Sequence, residues 1–165
     1  MKIAFTGHRP ENMPFDRDSD AYCRLETALW KVIREKIQEG CDTFYCGAAR
    51  GMDIECGEII LAEKETDNPQ IRLVCVVPFV QQAKSWNTYW QLRYARLLDE
   101  ADELVQMCEH YQRGCYHMRN RYMVDQSDAV IAIYDGQSNG GTAYTVNYAR
   151  QQGKEVIVLN PYDFC

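Results

Sequence analysis

The sequence predicts an α/β protein with one doubly wound, mostly parallel sheet and helices on both faces of that sheet. Two observations predict it. Short runs of β-branched and aromatic residues alternate with longer segments of helical periodicity, and such alternation is typical of βαβ units with parallel strands. The strand segments are also continuous apolar runs, as expected when helices cover both faces of the sheet.

Six segments are predicted as strands because each is short, apolar and rich in residues that favour extended backbone. Along the chain they are Lys2–Thr6, Thr43–Cys46, Arg72–Val77, Leu104–Met107, Ala129–Tyr134 and Val156–Leu159.

Five segments are predicted as helices. The first places Leu25, Leu29 and Ile33 on one face and ends at Gly40, a residue typical of helix C-termini. The third carries four aromatic residues at helical spacing, which predicts a place in the core or at a subunit interface of a homo-oligomer: Trp86, Tyr89, Trp90 and Tyr94. The others run from about Met52 to Lys64, from Tyr116 to Gln126, and from Thr142 to Gln152 before Gly153.

Composition limits the class of protein. A length of 165 residues with 46% hydrophobic and 25% charged residues predicts one domain, residues 1–165, with a proper core. The net charge of −6 argues against a non-specific nucleic-acid binder. Neither a signal peptide nor a membrane-spanning run is recognisable, so we expect a cytoplasmic protein with reduced cysteines and no membrane partner.

Unusual residues follow the predicted strands at their carboxyl ends, where open parallel sheets bind ligands. Gly7, His8 and Arg9 follow the first strand, and Asp135 follows the fifth. After the second strand comes GAARGMD, which contains Gly47, Arg50, Gly51 and Asp53. The sequence therefore predicts a ligand site at this edge of the sheet.

The glycine-rich loop before the fifth helix indicates what kind of ligand this is. Gly140 and Gly141 let backbone N–H groups approach a ligand, the helix dipole attracts negative charge, and the Thr142 hydroxyl adds a hydrogen bond. Arg50 can hold an oxyanion in a bidentate manner at the second loop. This predicts a phosphate or carboxylate site. The alternative is that both loops are only turns, and their occurrence on one sheet edge beside His8 favours the ligand site.

Arg119 and Asn120 lie on a polar helix face, and we predict that they bind the ligand too, although a solvated face would give the same pattern. No metal site is predicted. The potential ligands Cys108, His110, Cys115 and His117 lack the spacing of the usual zinc ligand pairs.

The segments TGHRP, GAARGMD, RNRYMVDQSD and VIAIYDG…GGTAYTVNYA together resemble the YpsA-like subgroup of the SLOG superfamily, over nearly the whole chain. That superfamily also contains the DNA-processing protein DprA and the lonely-guy (LOG) phosphoribohydrolases. The resemblance implies a Rossmann-like fold and a site for a nucleotide or a nucleotide-derived ligand. It implies no certain cofactor, and the expected ligands include nucleotides, NAD and ADP-ribose derivatives.

The sequence departs from the LOG hydrolases at one functional position. Their pattern P-G-G-x-G-T-x-x-E ends in a glutamate that takes part in cleaving the N-glycosidic bond, and here Thr145 stands in its place. Thr145 can bind a ligand but is no acid–base catalyst at neutral pH. The catalytic candidates that remain are Asp53 and Glu55, with Asp135 as a third well-placed carboxylate.

Three hypotheses about function follow. The first is a nucleotide-binding protein of the sensor type, whose partner is a small molecule rather than nucleic acid. The second is a phosphoribohydrolase or related N-glycosidase that uses Asp53 or Glu55, so the sequence leaves open whether the protein is an enzyme. The third is a DprA-like binder of single-stranded DNA that uses a local basic patch at Arg113, Arg119 and Arg121. The negative net charge of the chain argues against this third hypothesis.

Overall fold

All six predicted strands are present in the computed structural model, which describes residues 1–165. Their ends differ from the predicted ones by two residues at most, because the apolar runs that form the interior of the sheet define them. They are β1 (Lys2–Gly7), β2 (Thr43–Cys46), β3 (Arg72–Phe79), β4 (Glu103–Cys108), β5 (Ala129–Ile133) and β6 (Glu155–Leu159).

The five predicted helices are present as well. The Ser19 hydroxyl accepts a hydrogen bond from the Tyr22 N–H and so caps the first of them, while Gly40 follows its end with a φ of +103°, which favours glycine. The helices are α1 (Asp20–Gln38), α2 (Met52–Thr66), α3 (Thr88–Glu100), α4 (Cys115–Gln126) and α5 (Gly141–Gln151). None of them is long and apolar enough to cross a membrane.

The strands form one sheet in the order β4-β3-β2-β1-β5-β6, and every neighbouring pair is parallel. The chain proceeds from β1 outward to β4 on one side and then returns to place β5 on the other side of β1. The strand order therefore reverses between β1 and β5, and the α/β fold class predicted from the sequence is confirmed.

Helices cover both faces of the sheet. The larger core cluster packs α1, α2 and α3 on one face, and the smaller packs α4 and α5 on the other. All five residues of β5 are buried, which explains why that strand is apolar without alternation. The aromatic residues of the third helical segment lie in different environments. Trp90 and Tyr94 lie in the core, whereas Tyr89 is exposed. A subunit interface at this helix stays a prediction.

Candidate functional site

A cavity of about 490 Å³ opens at the carboxyl edge of the sheet, where the strand order reverses between β1 and β5. This is the place where open α/β sheets bind ligands. The loops after β1 and β5 and the first turns of α2, α4 and α5 form its walls. The predicted site residues that line it are Gly7, His8, Arg9, Asp53, Arg119, Asn120, Gly140, Gly141 and Thr142.

The N-terminus of α5 faces this cavity with free backbone donors. The Tyr144 N–H is the first to bond within the helix, on the Gly140 carbonyl at 3.0 Å, so the three N–H groups before it in the helix have no backbone partner. No side chain caps this end, and its first turn carries no acidic residue. Gly140 has a φ of +100°, which only glycine adopts easily. The helix end is thus suited to an anion.

Arg119 brings a buried positive charge to the cavity. Only 4% of the residue is exposed. Its Nη1 donates to the Gly47 carbonyl at 2.6 Å and its Nε donates to Asn120 Oδ1 at 2.7 Å, but no carboxylate lies within ion-pair distance. Its Nη2 makes no hydrogen bond to the protein. Burial lowers the pKa of Arg119, and the nearby Asp53 carboxylate opposes that fall.

Asp53 is the one carboxylate that lines the cavity. Burial raises its pKa to about 6, although Arg119, a backbone hydrogen bond at Ala49 and Arg9 oppose that rise. A Cβ atom at Gly47 would lie 2.7 Å from Arg119 Nη1 and 2.8 Å from Asp53 Oδ2. Only glycine therefore lets these two buried charged groups lie so near the end of β2.

His8 and Asp135 join the two strands that flank the reversal. His8 Nε2 lies 3.1 Å from Asp135 Oδ1 and accepts a hydrogen bond from the Asp135 N–H at 3.3 Å. Asp135 Oδ1 also accepts from the Gln137 N–H at 3.0 Å. Asp135 does not line the cavity itself; it holds His8, which does.

The first turn of α4 supplies the aromatic part of the wall. The Tyr116 ring packs edge-on against Phe79 at the end of β3, with ring centroids 5.9 Å apart. The Arg9 guanidinium lies 5.9 Å from the centroid of the Tyr116 ring. The neighbouring His117 stacks on Tyr144 of α5, with centroids 3.7 Å apart and planes 11° apart. These rings lie beside the N-terminus of α5, with Tyr144 on one face of His117 and the Arg119 guanidinium 5.7 Å from the Tyr116 centroid.

Six of the predicted site residues do not line the cavity, and three of these are held elsewhere by specific bonds. Arg50 pairs with Glu11 at 3.0 Å, and Glu55 pairs with Arg17 and Arg93 on the other side of α2. Thr145 is fully buried, and its hydroxyl donates to the Gly141 carbonyl at 2.9 Å. The other three are Gly47, Gly51 and Asp135, which support the loops and side chains around the cavity.

Several lining residues were not predicted from the sequence. They are Thr6, Asn12, Ala49, Tyr116, His117, Gln137 and Asn139. The rule that located the other loops could also have predicted Tyr116 and His117, because α4 follows β4 and its first turn must lie at the same edge of the sheet.

The sheet order and the cavity at its reversal define a Rossmann-like α/β protein. The chain matches the model of the YspA SLOG family over residues 3–163 and belongs to that family. It is 32% identical to the SPbeta prophage-derived protein YoqJ of Bacillus subtilis, over 84% of this chain and 88% of that protein. It is also 24% identical to a UPF0398 protein of Halalkalibacterium halodurans, over 98% of this chain and 88% of the relative.

Among solved structures, the fold is similar to that of DNA processing protein A from Helicobacter pylori, which binds single-stranded DNA. The TM-score is 0.65 with 20% sequence identity, over 97% of this chain. This chain covers 65% of the longer Helicobacter protein. The likeness establishes a common fold.

Proposed function

We propose that this protein is a cytoplasmic nucleotide-binding protein of the sensor type, and that its ligand occupies the cavity between β1 and β5. The observation that carries the proposal is Arg119. A buried arginine without a carboxylate partner is costly, and an anionic ligand in the cavity would supply the missing counterion.

The α5 end provides the position for a phosphate group. The free N–H groups of Gly141 and Thr142 and the positive helix end attract an anion, and Arg9 lines the same cavity. A Cβ atom at Gly141 would contact nothing within 4 Å, so this backbone is open to a ligand.

Asp53 and the aromatic wall provide positions for the rest of a nucleotide. A carboxylate at the sheet edge accepts hydrogen bonds from ribose hydroxyls in many dinucleotide-binding proteins. Tyr116 and His117 are the aromatic residues that line the cavity, and a nucleobase stacks on such rings. The cavity thus combines one buried carboxylate, an anion site and a stacking surface, a combination that suits a nucleotide better than a simple dicarboxylate.

A second candidate function rests on Asp53. Its raised pKa of about 6 suits a general acid or base near neutral pH, which N-glycosidic bond cleavage requires. Glu55 lies outside the cavity, and Asp135 is engaged by His8 and the Gln137 N–H. If the protein is a phosphoribohydrolase, Asp53 is therefore the carboxylate that acts.

The proposal is tested by thermal melting of the purified protein with AMP, NAD, ADP-ribose and a short oligothymidylate. A ligand that binds only the folded state raises the melting temperature with concentration. We expect a rise with at least one of the three nucleotides. No rise at millimolar concentration with any nucleotide would contradict the proposal, and a rise with the oligothymidylate alone would favour a DNA-binding function.

A further inference from the structure

The segment between β1 and α1, residues 9–18, carries two residues of the cavity wall, Arg9 and Asn12. Apart from the short 3-10 helix Pro10–Asn12 it has no regular secondary structure. The start of the segment is fixed by the backbone, because the Met52 N–H donates to the His8 carbonyl at 3.2 Å and a Cβ atom at Gly51 would lie only 3.0 Å from Arg9 Cα. From Pro10 onward no backbone hydrogen bond joins the segment to another element, so side-chain contacts position residues 11–18.

The strongest of these contacts is made by Glu55, a residue of α2 that is only 5% exposed. Its Oε1 accepts a hydrogen bond from Arg17 Nε at 2.8 Å and another from Arg93 Nη2 of α3 at 2.6 Å. Burial and the nearby Glu55 carboxylate raise the pKa of Tyr22 above its ordinary value. A buried carboxylate with two arginines forms a strong, directional tether.

The two arginines depend on Glu55 to different degrees. Arg93 has a second carboxylate, because its Nε donates to Glu58 Oε1 at 2.7 Å. Arg17 has no other carboxylate, and its remaining side-chain partner is the Tyr89 hydroxyl. Loss of the Glu55 charge would therefore release Arg17 while Arg93 stays bound to α2.

Apolar packing holds the segment in part. Met13 and Phe15 pack against the core, and the Phe15 ring meets the Tyr22 ring edge-on with centroids 6.3 Å apart, but a second cavity of about 120 Å³ lies between the segment and α2. The Glu55–Arg17 pair adds a charged contact to this packing. The other charged tether, between Glu11 and Arg50 at 3.0 Å, lies on the surface, where ion pairs contribute little.

We propose that Glu55 is a positioning residue, which through Arg17 holds residues 11–18 so that Asn12 faces the cavity. The consequence for ligand affinity rests on the proposed nucleotide-binding function, whereas the tether itself does not. Glu55 thus acts on the site through the segment and contacts no ligand.

The test compares four full-length proteins: wild type, Glu55→Gln, Arg17→Gln and the control Glu58→Gln. The control removes a carboxylate from the same helix and the same arginine, Arg93, but leaves Arg17 paired. Hydrogen exchange of residues 11–18 and affinity for ADP-ribose are measured on each. Arg17 is half-exposed, so its variant folds even if the buried Glu55→Gln change proves too disruptive.

We expect hydrogen exchange of residues 11–18 to accelerate about tenfold or more in Glu55→Gln and Arg17→Gln, with no change in the core strands or in Glu58→Gln. Affinity for ADP-ribose should fall in the same two variants only. Unchanged exchange in Arg17→Gln would overturn the tether. Faster exchange with wild-type affinity would overturn the positioning role. If wild type binds no ADP-ribose, AMP and NAD are used in its place; if it binds none of the three, the proposed function fails, and the exchange data alone decide whether Glu55 holds the segment.

Discussion

The Arg119 guanidinium of α4 donates a hydrogen bond to the Gly47 carbonyl at the end of β2, with 2.6 Å between Nη1 and the oxygen. This bond joins α4, on one face of the sheet, to the loop that leads to α2 on the other face. It leaves a buried positive charge beside Asp53 without a direct ion pair.

Arg119→Met should weaken both the fold and ligand binding. Asn120 Oδ1 loses its donor and the Gly47 carbonyl keeps only a long hydrogen bond from Gln82 Nε2 at 3.5 Å, and a buried polar group without a partner costs about 1–3 kcal/mol of unfolding free energy. Loss of a charged hydrogen-bond donor should reduce ADP-ribose affinity by about 10–100-fold. Urea denaturation and calorimetry measure the two effects. Arg121→Met, an exposed change on the same helix, should alter neither quantity.

Gly141→Val should abolish nucleotide binding and leave the fold intact. A Cβ atom at this position would contact nothing within 4 Å, and the φ of Gly141 is not positive, so the backbone should accept valine without strain. The branched side chain would nevertheless stand in front of the α5 N–H groups and block a phosphate. Gly141→Ala should show a smaller loss. A variant that unfolds by circular dichroism, or that binds like wild type, would indicate that the glycine has only a structural role.

Asp53 should make the protein less stable as the pH rises between about 4 and 6. Its folded-state pKa of about 6 lies above the ordinary value of 3.8, so the folded protein keeps a proton that the unfolded chain releases. Stability therefore falls with rising pH over that window. Asp53→Asn carries no titrating carboxyl here, so this loss of stability does not occur in the variant. The unfolding free energy of the variant minus that of wild type should therefore increase by about 2–3 kcal/mol from pH 4 to pH 7. Urea denaturation across this range measures the difference, and a difference that does not vary with pH would contradict the prediction.

Base release from nucleoside monophosphates should be very slow or absent, because Thr145 cannot replace the missing glutamate and does not reach the cavity. Acid–base catalysis of this kind contributes about 10²–10⁴-fold to a rate. Chromatography of AMP incubated with the protein measures it. Rapid release that disappears in Asp53→Asn would establish the enzyme instead of the sensor.

Much of the fold was predictable because its elements are defined by local patterns. The continuous apolar run Ala129–Ile133 is a fully buried strand, and glycines end α1 and α5 where the sequence places them. The position of the site followed from one rule, that the loops after parallel strands meet at one edge. Gly141, His8 and Asp53 do meet there.

The placement of individual side chains was less predictable. Asp53 and Glu55 are two residues apart on α2, and at 3.6 residues per turn they point in nearly opposite directions, so one faces the cavity and the other faces Arg17. Arg50 turns toward Glu11, a partner 39 positions away in the sequence that no local pattern indicates. Contacts between distant segments decide such details, and they become visible only in three dimensions.

The nucleotide-binding proposal is tested most directly by a crystal structure of the protein grown with the one of AMP, NAD and ADP-ribose that raises its melting temperature most. We expect that nucleotide in the cavity between β1 and β5, with phosphate oxygens about 2.7–3.2 Å from the N–H groups of Gly141 and Thr142. Asp53 should accept hydrogen bonds from ribose hydroxyls. Electron density for the nucleotide elsewhere on the surface, or an empty cavity at saturating ligand, would contradict the proposal.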